Sequence, residues 1–135
     1  MLGGPAGARD RFDPAHPFYA TFAELAKIRR ATPALWGGTS LVRARTEGAG
    51  LFAVSRFDPV NGREVLALFN TSAAPLAAHV EVDPASARFT SLVGPCPTHA
   101  AAPGSVSITL PAFGYALCAA SPSAPVPVSA KAPKP

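Results

Sequence analysis

Charge is scarce in this chain: Asp, Glu, Lys and Arg make up 15% of 135 residues, and the net charge is +4. The twelve Lys and Arg are scattered, with Arg29-Arg30 the only adjacent pair and Lys131 and Lys134 near the C-terminus. A nucleic-acid binder concentrates its basic residues on one face or stripe, so this distribution argues against a nucleic-acid partner. Long hydrophobic runs are missing as well: no stretch reaches 18 apolar residues, which excludes a membrane-spanning helix and a membrane partner of that kind. The first eleven residues hold no apolar segment of the secretory type, so no secretion signal is expected within them, and the location of the protein stays open.

Ligand-type residues are few. His16, His79 and His99 stand 63 and 20 residues apart with no Cys or acid at ligand spacing, so no metal and no cofactor is expected. Ser40, Ser72 and Ser107 lack the Gly-x-Ser-x-Gly setting of a serine hydrolase. The two cysteines, Cys96 and Cys118, permit one disulfide. A hairpin about Pro111–Phe113 would place Cys118 beside Ser107, away from Leu117 and Ile108. Cys96 would then have to fold back to reach it, so two separate thiols are the favoured reading.

Proline is abundant by contrast, with sixteen residues, and eleven are glycine. Both interrupt long helices and ladders, which predicts short, often-punctuated elements. Residues 1–12 read as a loop. Asp13-Pro14 and His16-Pro17 offer helix starts, and Phe18, Phe22, Leu25 and Ile28, widened by Tyr19, form the apolar stripe of an amphipathic helix that Thr32-Pro33 stops. After Gly37-Gly38 the apolar period changes from 3.6 to two. Thr39–Arg45, Leu51–Asp58, Val65–Asn70, Leu76–Val82, Arg88–Leu92, Ser105–Leu110 and Gly114–Ala119 are each strand-sized and bounded by turn residues. Leu66-Ala67-Leu68 runs without alternation, as expected of a central strand covered on both faces. Ser121–Pro135 carries five prolines in fifteen residues and reads as a disordered Pro-rich tail. The fold class expected is mainly β: an antiparallel, Greek-key-like β-sandwich of about seven short strands preceded by one amphipathic α-helix.

The order of several segments resembles one known junction. His16-Pro17-Phe18-Tyr19, Leu25-Ala26-Lys27-Ile28-Arg29-Arg30, Pro33-Ala34-Leu35 and Gly37-Gly38 are similar to the end of the catalytic barrel in the α-amylase family (glycoside hydrolase family 13). Leu51–Arg56, Val65–Ser72, Leu92-Val93-Gly94 and Val106–Leu117 resemble successive parts of that family's all-β C-terminal domain. The resemblance implies that 13–35 is the terminal helix of a barrel, with Phe18, Tyr19, Phe22, Leu25 and Ile28 facing it, and that 36–120 is the C-terminal β domain. It implies carbohydrate metabolism on α-glucans, and a catalytic barrel of ~250 residues as the missing partner.

That family works with paired carboxylates. The eight acids here (Asp10, Asp13, Glu24, Glu47, Asp58, Glu64, Glu81 and Asp83) match none of its catalytic segments, so the chain is expected not to be an enzyme on its own, and no catalytic residue is assigned. Trp36 is a candidate sugar-stacking residue, since a flat indole packs on a pyranose face while its N–H reaches a hydroxyl. Packing at the helix-to-sheet junction is the plainer reading for it. An independent carbohydrate-binding or immunoglobulin-like binding module is the alternative to a structural domain.

Overall fold

A computed structural model describes residues 17–122. The expected N-terminal loop, the Asp13-Pro14 helix start, His16 and all but the first two residues of the expected tail lie outside the described residues.

Helix α1 runs Pro17–Ala31. It stops where the sequence predicts, because a residue ahead of proline is pushed out of the helical region: Thr32 sits at φ −124°, ψ 93°. The chain then makes one further helical turn, α2 (Pro33–Trp36), which the sequence reading did not anticipate. Pro33 suits this start, since its ring presets φ and the first turn needs no N–H there. Gly37 closes α2 by donating to the Pro33 carbonyl at 2.8 Å. At Gly38 the backbone comes so close to its surroundings that a Cβ would lie 2.0 Å from the Phe57 carbonyl oxygen and 2.7 Å from that of Ala34. Only glycine passes this point.

Seven strands follow: β1 (Thr39–Arg45), β2 (Leu51–Phe57), β3 (Glu64–Asn70), β4 (Leu76–Glu81), β5 (Arg88–Val93), β6 (Ser105–Leu110) and β7 (Tyr115–Ser121). All lie within two residues of the ranges expected from period-two patterning. Ser121, read from sequence as the start of the tail, instead closes β7 opposite Arg88. Five strands form one antiparallel sheet in the order β1-β2-β3-β7-β5, and β4 and β6 pair as a second. The two sheets enclose a core of Leu51, Leu66, Leu68 and Phe89 from the larger sheet and Val80, Val106, Ile108 and Leu110 from the smaller. This is the expected β-sandwich. β3 is central, and every residue of it except Phe69 is buried.

The hairpin expected between β6 and β7 does not form. β6 pairs with β4, whereas β7 enters the five-stranded sheet between β3 and β5. Both strands bury alternate residues in the same core, so facing each other across it satisfies both patterns, and Pro111 has no N–H with which to continue a ladder. The crossover turn is held by Phe113, at φ 55°, whose N–H donates to the Ser72 carbonyl at 3.0 Å. Because β7 faces inward, fully buried Cys118 meets Cys96 of the 94–104 loop, and the two are joined in a disulfide. The reading of two separate thiols is thereby corrected; it depended on a hairpin that is absent.

Candidate functional site

The outer faces of the two sheets differ. On the smaller sheet, exposed Ala77, His79, Glu81, Ser107 and Thr109 look outward, small or polar throughout, with His79 Nδ1 and Ser107 Oγ 3.1 Å apart. That is an ordinary solvated face. His79 is thus the strand-surface residue expected, and His99 lies exposed in its loop. Among the described residues no cluster of three or more His, Cys, Asp or Glu is placed to hold a metal.

On the larger sheet the outward positions of β2, β3 and β7 are mainly apolar, with Arg56 among them at the end of β2 nearest α2. Val54, Ala67 and Leu117 form a row across the three strands, with Ala67 opposite both neighbours. Phe69 pairs with Phe52 on one side and Tyr115 on the other, and the two phenylalanine rings stand 6.2 Å apart. Helix α1 leans over this row without closing on it. Between them an open groove of about 320 Å³ is lined by Leu25 and Arg29 of α1, Leu35 of α2 and the sheet residues Val54, Phe69 and Leu117.

The groove continues into exposed apolar surface. Phe22, one turn before Leu25, is 69% exposed, and Val42, opposite Val54 on the edge strand, is 53% exposed. Leu25 and Ile28 are half-buried, while the side chains of Phe18 and Tyr19 lie outside the described residues. Trp36 sits at the helix-to-sheet junction as its position suggested, but it is 54% exposed and not packed away. A contiguous apolar face of this kind marks an association surface.

The junction that presents this face is clamped by one side chain. Arg56 Nε donates to the Ala34 carbonyl at 3.0 Å, Nη2 to those of Leu35 and Gly38 at 3.3 and 3.4 Å, and Nη1 to Ser40 Oγ at 2.7 Å. It thereby satisfies carbonyls that the end of a helix leaves without intrahelical donors.

A second polar centre, which sequence reasoning passed over, lies on the core side of the same sheet. The Glu64 side chain is fully buried, and Arg43 Nη2 lies 3.5 Å from its Oε2. Ser55 Oγ donates to the same oxygen, while Ser86 Oγ and the Asp83 N–H donate to Oε1 at 2.8 and 3.0 Å. Arg43 Nε also donates to Ser55 Oγ at 2.8 Å. Arg43 alternates inward after outward Val42, and the bulge of β1 between Val42 and Ala44 lets Ala44 face the core beside it. The carboxylate is therefore a four-partner hub joining β1, β2, β3 and the β4–β5 turn. All its lone-pair directions are used, which marks structure and not chemistry. One signal could have found it: Glu64 is in phase with the inward residues Leu66 and Leu68.

Asn70, at the other end of β3 and also in phase, is a smaller version of the same device. Its Nδ2 donates to the carbonyls of Ala74 and Pro111 at 2.8 and 2.9 Å, and its Oδ1 accepts from the Ser72 N–H and hydroxyl.

No family profile matches the chain. The α-amylase of Streptomyces lividans is 33% identical over 106 residues, which cover 78% of this chain and 12% of that protein. The chain is thus similar to one segment of an α-amylase. Solved structures from enzymes of larger size share its fold. Trehalulose synthase MutB of Pseudomonas mesoacidophila is 25% identical over 84% of this chain and 19% of its own, with a TM-score of 0.55. AmyP in complex with maltose gives 20% identity, coverage of 80% and 21%, and a TM-score of 0.61. The debranching enzyme of Nostoc punctiforme gives 23%, coverage of 75% and 19%, and a TM-score of 0.57. The chain spans about an eighth of this curated relative and a fifth of these solved ones. It corresponds to a fragment of proteins of this kind.

Proposed function

We propose that this chain is the non-catalytic C-terminal β domain of an α-amylase-type glycosidase or transglycosidase, and that it supports the catalytic barrel by covering one flank of it. The observation that carries this reading is the asymmetry of the sandwich. One outer face is polar and solvated, whereas the other pairs an apolar sheet surface with a helix whose apolar stripe is only half covered. Phe18, Tyr19, Phe22, Leu25 and Ile28 are the barrel-facing residues in this reading, and residues 13–35 are the barrel's last helical segment. The chemistry of the whole enzyme, on α-glucans, resides in the part of the parent that this chain does not span.

The test is a graft. The segment of the Streptomyces lividans α-amylase that matches this chain is replaced by it, and starch hydrolysis and melting are measured. The graft should yield a folded, active enzyme, and Phe22→Asp with Val42→Asp in the graft should lower its melting temperature and its yield. Grafts indifferent to both charges would overturn the docking reading.

The half-exposed Trp36 favours a second, separate reading, in which the domain itself binds α-glucan by indole stacking. Titrating maltoheptaose into the chain decides it: heat that disappears in Trp36→Ala supports binding, and no heat removes it.

A further inference from the structure

The 94–104 loop runs back along the open edge of β5 and then crosses to the smaller sheet. Its ties to that edge are hydrogen bonds: the Phe89 N–H donates to the Thr98 carbonyl at 3.0 Å, the Ala100 N–H to that of Ala87 at 2.9 Å, and Ser91 Oγ to that of Gly94 at 2.6 Å. Its sequence, Gly94-Pro95-Cys96-Pro97-Thr98-His99-Ala100-Ala101-Ala102-Pro103-Gly104, holds no leucine, isoleucine, valine or aromatic residue to anchor it in the core. Apart from the small side chain of Ala100, which packs against the core, these short edge bonds are what ties the loop to β5, and such bonds hold a segment weakly. The covalent anchor is Cys96, half-buried, bonded to Cys118 at the centre of β7. Cys118 itself is fully buried beside Leu66 and needs no bridge to stay there, since a free cysteine packs as a small apolar side chain.

We infer that the Cys96–Cys118 bond is a redox-addressed bolt on this loop, opened by a dithiol, and that its reduction frees the 94–104 segment while leaving the five-stranded sheet in place. Attack falls on the Cys96 sulfur, because Cys96 is only half-buried whereas Cys118 is fully buried in the core. The dithiol's thiolate bonds to Cys96 Sγ and the Cys96–Cys118 bond breaks. Its electron pair stays on Cys118 Sγ, which takes up a proton. The dithiol's second sulfur then displaces Cys96, which is also protonated, and the reagent leaves as its own disulfide. Two electrons and two protons pass to the protein. Freed of the loop, β5 presents an unpaired edge of the kind that seeks another strand. A bond of this kind persists in an oxidising compartment and opens in a reducing one, so the loop's state reports the compartment. None of this depends on the role proposed above.

Hydrogen–deuterium exchange of the full chain, with and without dithiothreitol under native conditions, tests the inference; iodoacetamide labelling of Cys96 monitors the bond. On reduction the peptide covering 94–104 should exchange at least tenfold faster, while the peptide covering 64–70 of β3 stays protected over the same minutes. Cys96→Ser should show the fast loop without any reductant. A bond that dithiothreitol leaves closed, a loop rate unchanged on reduction, or loss of protection at 64–70 within the same minutes would each overturn it.

Discussion

Replacing Glu64 by Gln changes one atom of a side chain that makes four contacts, and the cost can be worked from their geometry. Oε1 accepts from Ser86 and the Asp83 N–H, so the carbonyl of Gln would keep that side. The new amide then faces Arg43 and Ser55 with hydrogens where both had met an acceptor. Ser55 can turn its hydroxyl, but Arg43 loses its only anion among the described residues. Breaking a buried pair by removing one partner costs about 3–5 kcal/mol, and the Arg43 side chain, 12% exposed, recovers a little hydration. We therefore expect about 3 kcal/mol for Glu64→Gln, or a melting temperature lowered by roughly 10 °C. Arg43→Met should cost a similar amount alone, because it leaves the fully buried Glu64 without its cation, and the double variant should fall well short of the sum, because each change removes the same interaction. Thermal melts followed by circular dichroism measure all three. A Glu64→Gln protein melting within ~2 °C of wild type, or strictly additive costs, would refute the reasoning.

Gly38→Ala should destabilise by more than ~2 kcal/mol in chemical denaturation, because its Cβ would meet backbone oxygens that cannot retreat, whereas Gly37→Ala, with its nearest neighbours at 3.7 Å, should cost under ~1 kcal/mol. Arg56→Ala should speed amide exchange across α1 and α2 severalfold and leave that of β3 unchanged, since it removes the clamp on the helix end and not a core contact. The isolated chain should release no reducing ends from starch or maltodextrin above a boiled control. Deleting residues 123–135 should leave the melting temperature within about 2 °C, because β7, the last strand of the sandwich, already closes at Ser121.

Much of this fold was legible in the sequence because period two and turn residues agree along the chain. Ser105–Leu110 alternates cleanly and Val65–Asn70 does not, and the structure makes them a half-buried strand and a central one. Pairing was less legible. Alternation tells which face of β6 and β7 is buried but not whether the two strands lie side by side or across the core, so the hairpin expectation failed, and the reading of the cysteines failed with it. The turn α2 escaped because four residues beginning at a proline carry no periodicity. The Glu64 hub escaped because an acid was weighed for catalysis and not for its phase with Leu66 and Leu68. The apolar stripe of α1 was visible in full, as 3.6 periodicity is the strongest signal a sequence carries. That it would remain half covered was visible only through the likeness to a longer enzyme.

In the role proposed for this domain, the outer face of the larger sheet, together with α1, is built to be covered by a surface that this chain does not span. Multi-angle light scattering of the full chain, paired with far-ultraviolet circular dichroism, tests this directly. Phe22 is 69% exposed, and burying a side chain of that size is worth about 1.5–3 kcal/mol. The wild type should therefore self-associate at micromolar concentration, and Phe22→Asp should shift it toward monomer with the β-sheet signal intact. A wild type that is monomeric throughout, with a Phe22→Asp variant that loses its sheet, would show that the helix belongs to this domain's own core and would contradict the account.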